Sequence, residues 1–351
     1  MKMNRESVSF RAWRMPVPPK SILIIRMHAI GDVAITFPSC AALRDRFPET
    51  RLDFLTTESA SSLAEALVMF DEVHRFPSCR NRWERLRNAL RWAHRLRSIH
   101  YDIVIDLQRN WVSRLIRRAV SPTAWTEFNR FAPEPAGLRT MAAFHKAGFE
   151  ELKPSYKLKL KKEITLTAIE TLSARGWSEN PRLILINPAG LWVTRNWPIQ
   201  YYVDFAKRWL EQESVKFLFL GTDRILQQAE YFTSRLRDHT INLVERTTLA
   251  EAFAILQHVD LVVSEDSGLM HMAWVSGVPT LALFGSSRHD WSGPIGEHTL
   301  CLHSGDLPCG ACMSPTCRFN DVHCLTRYTP EEVYEKAIGL LQQTEKRVLP
   351  P

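Results

Sequence analysis

The sequence has no apolar run long enough to cross a bilayer, no low-complexity tract and little glycine, with 14 glycines in 351 residues. Each shortage removes a class of protein. A membrane-spanning helix needs about 20 consecutive apolar residues, so an integral membrane protein is not expected. Residues 1–20 are basic, with scattered aromatics and three prolines. They lack the continuous apolar core of a secretory signal, and a cytoplasmic chain is expected. No glycines fall in a G-x-G-x-x-G dinucleotide fingerprint, and none opens a Gly-Lys-Ser/Thr phosphate loop, which argues against an NTPase. No paired carboxylates mark a metal site for a diphosphate. No nucleic-acid module is recognisable.

What is present is an ordinary globular composition, 45% apolar and 24% charged, on a chain long enough for two domains. The net charge of +7 is unevenly spread. Residues 1–160 hold 27 Lys and Arg against 16 Asp and Glu, a net of +11, and the remainder holds 18 against 22, a net of −4. A basic first half fits an anionic partner, whether nucleic acid, anionic lipid or a phosphorylated glycan.

Along the chain, apolar strand patterns alternate with helical ones. Ser21 to Arg26 reads as a buried parallel strand, followed by a Gly31–Asp32 turn and a helix from Val33 to Arg46. Strand and helix patterns recur at Arg51–Thr56, Ser59–Met69, Glu72–Phe76, Asn81–Ser98 and Tyr101–Leu107, and Pro122–Gly137 reads as irregular. The alternation restarts at Arg182–Ile186 and runs through Val215–Leu220 and Thr248–Gln257. Such alternation implies mostly parallel sheets covered on both faces, an α/β protein.

The most informative stretch is Leu261 to Gly285. It reads as a strand, the turn Glu265-Asp266-Ser267-Gly268, a helix and a second strand. A helix starting at the carboxyl end of a parallel strand presents unpaired N–H groups that attract anions. Ser267 adds a hydroxyl, Gly268 admits close backbone approach, and His271 lies one turn on, on the same face. The competing reading of these residues is a helix cap, a packing glycine and a core histidine.

These motifs together resemble the ADP-heptose–lipopolysaccharide heptosyltransferase family, glycosyltransferase family 9. The resemblance rests on Ile24-to-Val33, Tyr101-to-Gln108, Thr194-Arg195-Asn196-Trp197-Pro198, and Asp266-to-His271 with Phe284-Gly285. It implies a GT-B architecture of two facing Rossmann-like domains with a cleft between them. It also implies inverting, metal-independent transfer of a heptose from a nucleotide-heptose to a lipopolysaccharide-core acceptor. The expected domains are a basic extension 1–20, an acceptor domain 21–158, a donor domain 159–329 and a C-terminal helix 330–351 packing back on the first domain.

On this reading Asp32 is the catalytic base. Thr194, Arg195, Asp223, Asp266, Ser267, Gly268 and His271 bind the donor, and Arg26 lies toward the acceptor. Arg195 stands where the family usually has Lys, keeping the charge while adding a bidentate fork. Asp223 stands where Glu is expected. The alternatives are transfer to a surface protein, transfer of another nucleotide sugar, a sugar-nucleotide epimerase on the same fold, and a nucleic-acid-binding α/β protein.

Two further features stand apart. Cys309, Cys312, Cys317 and Cys324, in the loop 301–324, form Cys-x2-Cys-x4-Cys-x6-Cys. In a cytosolic chain this clustering points to a structural zinc or iron as readily as to free thiols. The helix Asn81–Ser98 carries a row of arginines over an apolar stripe. Arg87 and Arg91 are its candidates for contact with acceptor phosphates or with anionic lipid at the inner membrane face.

Overall fold

The computed structural model describes residues 8–348. Residues 1–7 of the expected extension and 349–351 of the C-terminal segment lie outside the described residues. The chain divides into two compact units, residues 1–161 and 162–351. Leu160 bridges Leu67 within the first unit.

The first unit contains β1 (Ser21–Ile25), α1 (Ile30–Ala34), α2 (Phe37–Arg46), β2 (Arg51–Thr57), α3 (Glu58–Glu65), β3 (Glu72–Phe76), α4 (Arg82–Arg97), β4 (Ile103–Asp106), α5 (Trp111–Val120), β5 (Ala124–Glu127) and α6 (Ala136–Lys146). Its five strands are parallel in the order β3-β2-β1-β4-β5. All five residues of β1, Ser-Ile-Leu-Ile-Ile, are buried, as expected for a central parallel strand covered on both faces.

Two local expectations are corrected here. The helix expected over Val33–Arg46 is two helices, α1 and α2. Pro38 sits in the first turn of α2 and has no N–H to continue a helix from α1. The segment 122–137 is not wholly irregular, since β5 forms within it. Part of the N-terminal extension covers the edge of β5. Arg11 and Trp125 exchange backbone hydrogen bonds of 2.8 Å in both directions, which satisfies an otherwise open strand edge.

The second unit contains α7 (Lys162–Ser173), β6 (Arg182–Asn187), α8 (Ile199–Leu210), β7 (Val215–Phe219), α9 (Leu226–Thr233), β8 (Thr240–Asn242), α10 (Leu249–Ile255), β9 (Leu261–Glu265), α11 (Gly268–Val275), β10 (Thr280–Phe284), α12 (His289–Ser292), β11 (Thr299–His303), α13 (His323–Thr326) and α14 (Pro330–Val348). Its six strands are parallel in the order β11-β10-β9-β6-β7-β8. The core is rich in large rings, with Trp197, Tyr202, Phe205, Trp209, Phe217 and Phe232 all fully buried.

The C-terminal helix α14 belongs to the second unit. Val333, Ala337, Leu340 and Leu341, at helical spacing, join the core that holds Trp209. Tyr334 meets the Trp209 ring edge-on at 5.1 Å. No helix among the described residues is long and apolar enough to cross a membrane.

Both sheets share one topological feature. The chain builds outward from a central strand, β1 or β6, and then crosses to its other side at β4 or β9. Where the direction reverses, the carboxyl ends of two neighbouring strands leave a crevice, the usual ligand position in open α/β sheets.

Candidate functional site

In the first unit the crevice lies between the ends of β1 and β4. Asp32 is placed there in the first turn of α1, whose N-cap is Ala29. Asp32 is therefore inside the first turn, not at the N-cap position, and Ala29 at that position makes no side-chain capping bond. One carboxylate oxygen of Asp32 accepts from Arg26 Nη2 at 2.5 Å, and the other meets His28 Nδ1 at 2.5 Å. Arg26 is buried, lies 4.8 Å from the Phe128 ring and also donates to the Leu107 carbonyl of the neighbouring strand end. Burial lowers the Arg26 pKa, and the ion pair with Asp32 opposes that shift.

The facing turn after β4 is rigid. The Gln108 side chain accepts from the Met27 N–H at 3.0 Å and so ties the two strand ends together. Fully buried Asp106 accepts from the N–H groups of Gln108 and Arg109 and from the Ser113 hydroxyl. Burial pushes its pKa up to about 6 against those bonds. Arg87 and Arg91 lie elsewhere, exposed on α4.

In the second unit the crevice lies between β6 and β9. Ser267 is the N-cap of α11, its hydroxyl accepting from the Met270 N–H at 3.2 Å. The Gly268 and Leu269 N–H groups then have no intrahelical acceptor. Asn187, the last residue of β6, reaches across to the Ser264 and Ser267 hydroxyls at 2.7 Å each. Arg195 stacks 4.1 Å from the Trp192 ring and pairs with Asp266 at 3.2 Å. Arg195, Asp266, Ser267 and Gly268 are thus brought together as expected.

The remaining donor candidates are placed differently. His271 is buried, its Nδ1 accepting from Trp274 Nε1 at 3.0 Å. Asp223 is exposed just beyond the end of β7, its N–H donating to Glu245 at 2.9 Å. Thr194 is buried in the wall of the cysteine loop, its hydroxyl bonded to Ser314 O at 2.5 Å and Ser286 Oγ at 2.9 Å.

Sequence reasoning missed Glu265. It is fully buried at the end of β9, and its carboxylate accepts from the Gly190 and Trp197 N–H groups at 2.6 Å each and from the Tyr202 hydroxyl at 3.3 Å. It therefore closes both ends of the loop that carries Arg195. Burial pushes its pKa up to about 8 despite those donors. Gly190 has no room for a side chain, since a Cβ there would lie 2.8 Å from the Glu265 carboxylate and 2.6 Å from the Arg195 carbonyl.

The four cysteines line one pocket of about 330 Å³ together with Thr194 and His323. Cys309 Sγ is 3.2 Å from His323 Nε2. Backbone N–H groups, that of Phe319 first, lower the Cys317 pKa, and burial with the three neighbouring cysteines raises that of Cys324 to about 11. Ala311, Met313, Asn320 and Val322 bend the loop with φ between 48° and 59°, a region that non-glycine residues seldom occupy. The thiols stand more openly than ligands closed on an ion would. Among the described residues, the one trio with ligand atoms within 4.8 Å of one another is Asp53, Glu72 and His74. That trio is already served by Arg51 and Tyr101.

The family described as glycosyltransferase family 9 (heptosyltransferase) matches residues 89–323. The chain belongs to glycosyltransferase family 9. It is similar to the lipopolysaccharide heptosyltransferase 1 of Pseudomonas aeruginosa, at 25% identity over 360 residues covering 92% of this chain and 99% of that protein. Two solved structures share the fold. One is a family 9 glycosyltransferase from Veillonella parvula, with a TM-score of 0.76, 21% identity and coverage of 92% and 97% of the two chains. The other is the E. coli ADP-heptose lipopolysaccharide heptosyltransferase II, with a TM-score of 0.71, 19% identity and coverage of 93% and 99%. The family 9 chain is accordingly a glycosyltransferase with two Rossmann-like units of the GT-B class.

Proposed function

We propose that this glycosyltransferase moves a heptose, with inversion, from ADP-heptose to a lipopolysaccharide-core acceptor. The observation that carries the reading is the head of α11, where a guanidinium, a capping hydroxyl and two helix N–H groups gather at a topological switch point. That set suits a diphosphate.

The step is written with the chain's own groups. The acceptor oxygen attacks the anomeric carbon and its proton passes to Asp32. The bond from that carbon to the diphosphate oxygen breaks, and the charge on the departing ADP is met by Arg195 and the Gly268 and Leu269 N–H groups. The Arg26 guanidinium paired with Asp32 favours the carboxylate, so proton transfer comes late, as the donor bond breaks. His28, half exposed, offers the proton a route to water. Asp223 is assigned to the ribose, and Thr194 and His271 support the loop and helix from behind. Arg26 holds Asp32 in place at the acceptor side.

A lipid-linked acceptor would place the enzyme at the cytoplasmic face of the inner membrane. The reading is tested by calorimetry of ADP-heptose against GDP- and UDP-sugars, followed by transfer to a core acceptor lacking the heptose. Tight binding of ADP-heptose alone and an inverted product are expected. Turnover without acceptor would favour an epimerase, and transfer only to protein would redirect the acceptor assignment.

We further propose that Cys309, Cys312, Cys317 and Cys324 hold a structural zinc or iron. The grouping of the four cysteines round one pocket and the left-handed bends at Ala311, Met313, Asn320 and Val322 support this, and the backbone N–H groups at Cys317 favour its thiolate form. Four thiolates leave no open position, so such an ion would stabilise the loop and take no part in transfer.

A further inference from the structure

The α4 helix has two apolar stripes, and the fold uses only one of them. Ala89, Ala93 and Leu96 are buried, and the small residues among them let α4 lie close on α5. On the opposite side Trp83, Arg87, Leu90, Arg91 and His94 follow one another at spacings of three, four or one along a single face. Trp83 is 81% exposed and Leu90 54%. Neither is needed to hold the helix, since the inner stripe does that.

The outer face is also strongly cationic. The helix contains six arginines and one acidic residue, Glu84. Arg82, Arg87 and Arg91 are exposed and make no ion pair among the described residues. An open groove of about 850 Å³ beside Trp83 is flanked by Arg80 and Arg87. On the other side of α4, Arg85 lies 5.9 Å from the half-exposed Trp111 ring of α5 and is not part of this face.

We propose that this face of α4 seats the protein on an anionic phospholipid surface. Trp83 and Leu90 would enter the headgroup boundary, and Arg87 and Arg91 would pair with lipid phosphates. A cationic helix face interleaved with Trp and Leu is the composition that lies in such an interface. An acidic protein groove would be the alternative occupant of such a face, and binding to vesicles that contain no protein separates the two. The inference deepens the lipid-linked acceptor reading above and rests on it for its biological sense, but its test uses no acceptor.

The test is co-sedimentation of the full chain with acceptor-free vesicles. One set is phosphatidylcholine alone, and the other is phosphatidylcholine and phosphatidylglycerol in equal parts. Binding to the anionic set only, weakening as salt is raised, is expected. Each basic residue near such a surface is worth about fivefold in binding. Arg87→Ala with Arg91→Ala should therefore weaken partition roughly 25-fold, and Trp83→Ser with Leu90→Ser should also release the protein. Unfolding temperature and ADP binding report that the variants are folded, because all four side chains lie outside the core. Any of three binding patterns would overturn the proposal, as would the absence of binding: equal binding to both vesicle sets, anionic binding that the variants retain, or binding that appears only when acceptor glycolipid is added. The last would assign the face to the acceptor. Absence of vesicle binding with intact heptosyl transfer in detergent would sink the docking face and leave the transferase reading standing.

Discussion

Replacing Glu265 by Gln tests whether a buried carboxylate holds the donor loop. The side chain keeps its shape but loses an acceptor. Glu265 accepts from Gly190 and Trp197 with different oxygens, so a Gln amide group must face one of those two N–H donors with its own NH₂. A buried donor left unpaired costs about 1–3 kcal/mol, and Trp197 is fully buried. The loop between these two anchors carries Arg195. Donor binding should therefore weaken several-fold, and the Michaelis constant for the donor should rise more than kcat falls.

The pH dependence gives a sharper readout. Burial raises the Glu265 pKa from 4.5 to about 8. Between those values the folded chain holds a proton that the unfolded chain has lost. The stabilising contribution is therefore fully present below about pH 4.5 and is lost as pH rises through about 8, with a slope near 1.4 kcal/mol per pH unit. Gln cannot titrate. Urea unfolding of both proteins between about pH 5 and about pH 8 should show a deficit of the variant that shrinks, and then reverses, as pH rises. Parallel pH profiles would refute the reasoning, because every other titrating group is common to the two proteins.

Four further outcomes follow from the same geometry. Asp32→Asn should lower single-turnover transfer by about 10²–10⁴ with donor affinity kept, and transfer near the wild-type rate would remove Asp32 as the base. Arg195→Ala should weaken nucleotide-sugar binding by about 1.5–3 kcal/mol, the range for bonds to a charged group, measured by calorimetry against an unchanged fold. Cys312→Ser should lower both bound metal by elemental analysis and the unfolding temperature, with little change in transfer per folded molecule. Gly285→Ala should destabilise the second unit, because a Cβ there would lie 2.3 Å from the Thr194 carbonyl, and thermal unfolding reads this directly.

The parts of the fold legible in the sequence were those written in local pattern. Continuous apolar runs such as Ile22–Ile25 marked the buried parallel strands, and Ser267-Gly268 after β9 marked a helix start. Four elements were not legible, each for a physical reason. Pro38 split one expected helix into α1 and α2. Ala124–Glu127 is four residues long, too short to show a period among the surrounding prolines. The extension's pairing through Arg11 is a long-range contact with Trp125. The stripe of α14 is amphipathic in the usual way, and periodicity does not say which apolar surface it covers.

Glu265 shows why the site was only partly readable. Its partners are 63 to 75 residues upstream, and nothing near it in the chain distinguishes it from an acidic residue ending a strand. The sheet order makes the difference. Because β9 returns to lie beside β6, the end of one strand meets the loop leaving the other. The same crossing places Gln108 against Met27 in the first unit. In both units, therefore, a buried polar side chain from the returning strand fastens the loop that leaves the central strand. One of those loops leads into the first turn of α1, which holds Asp32, and the other carries Arg195; these are the two groups on which transfer is proposed to depend. The residues proposed to act were visible as motifs; the residues that hold them become visible only once the strand order is known.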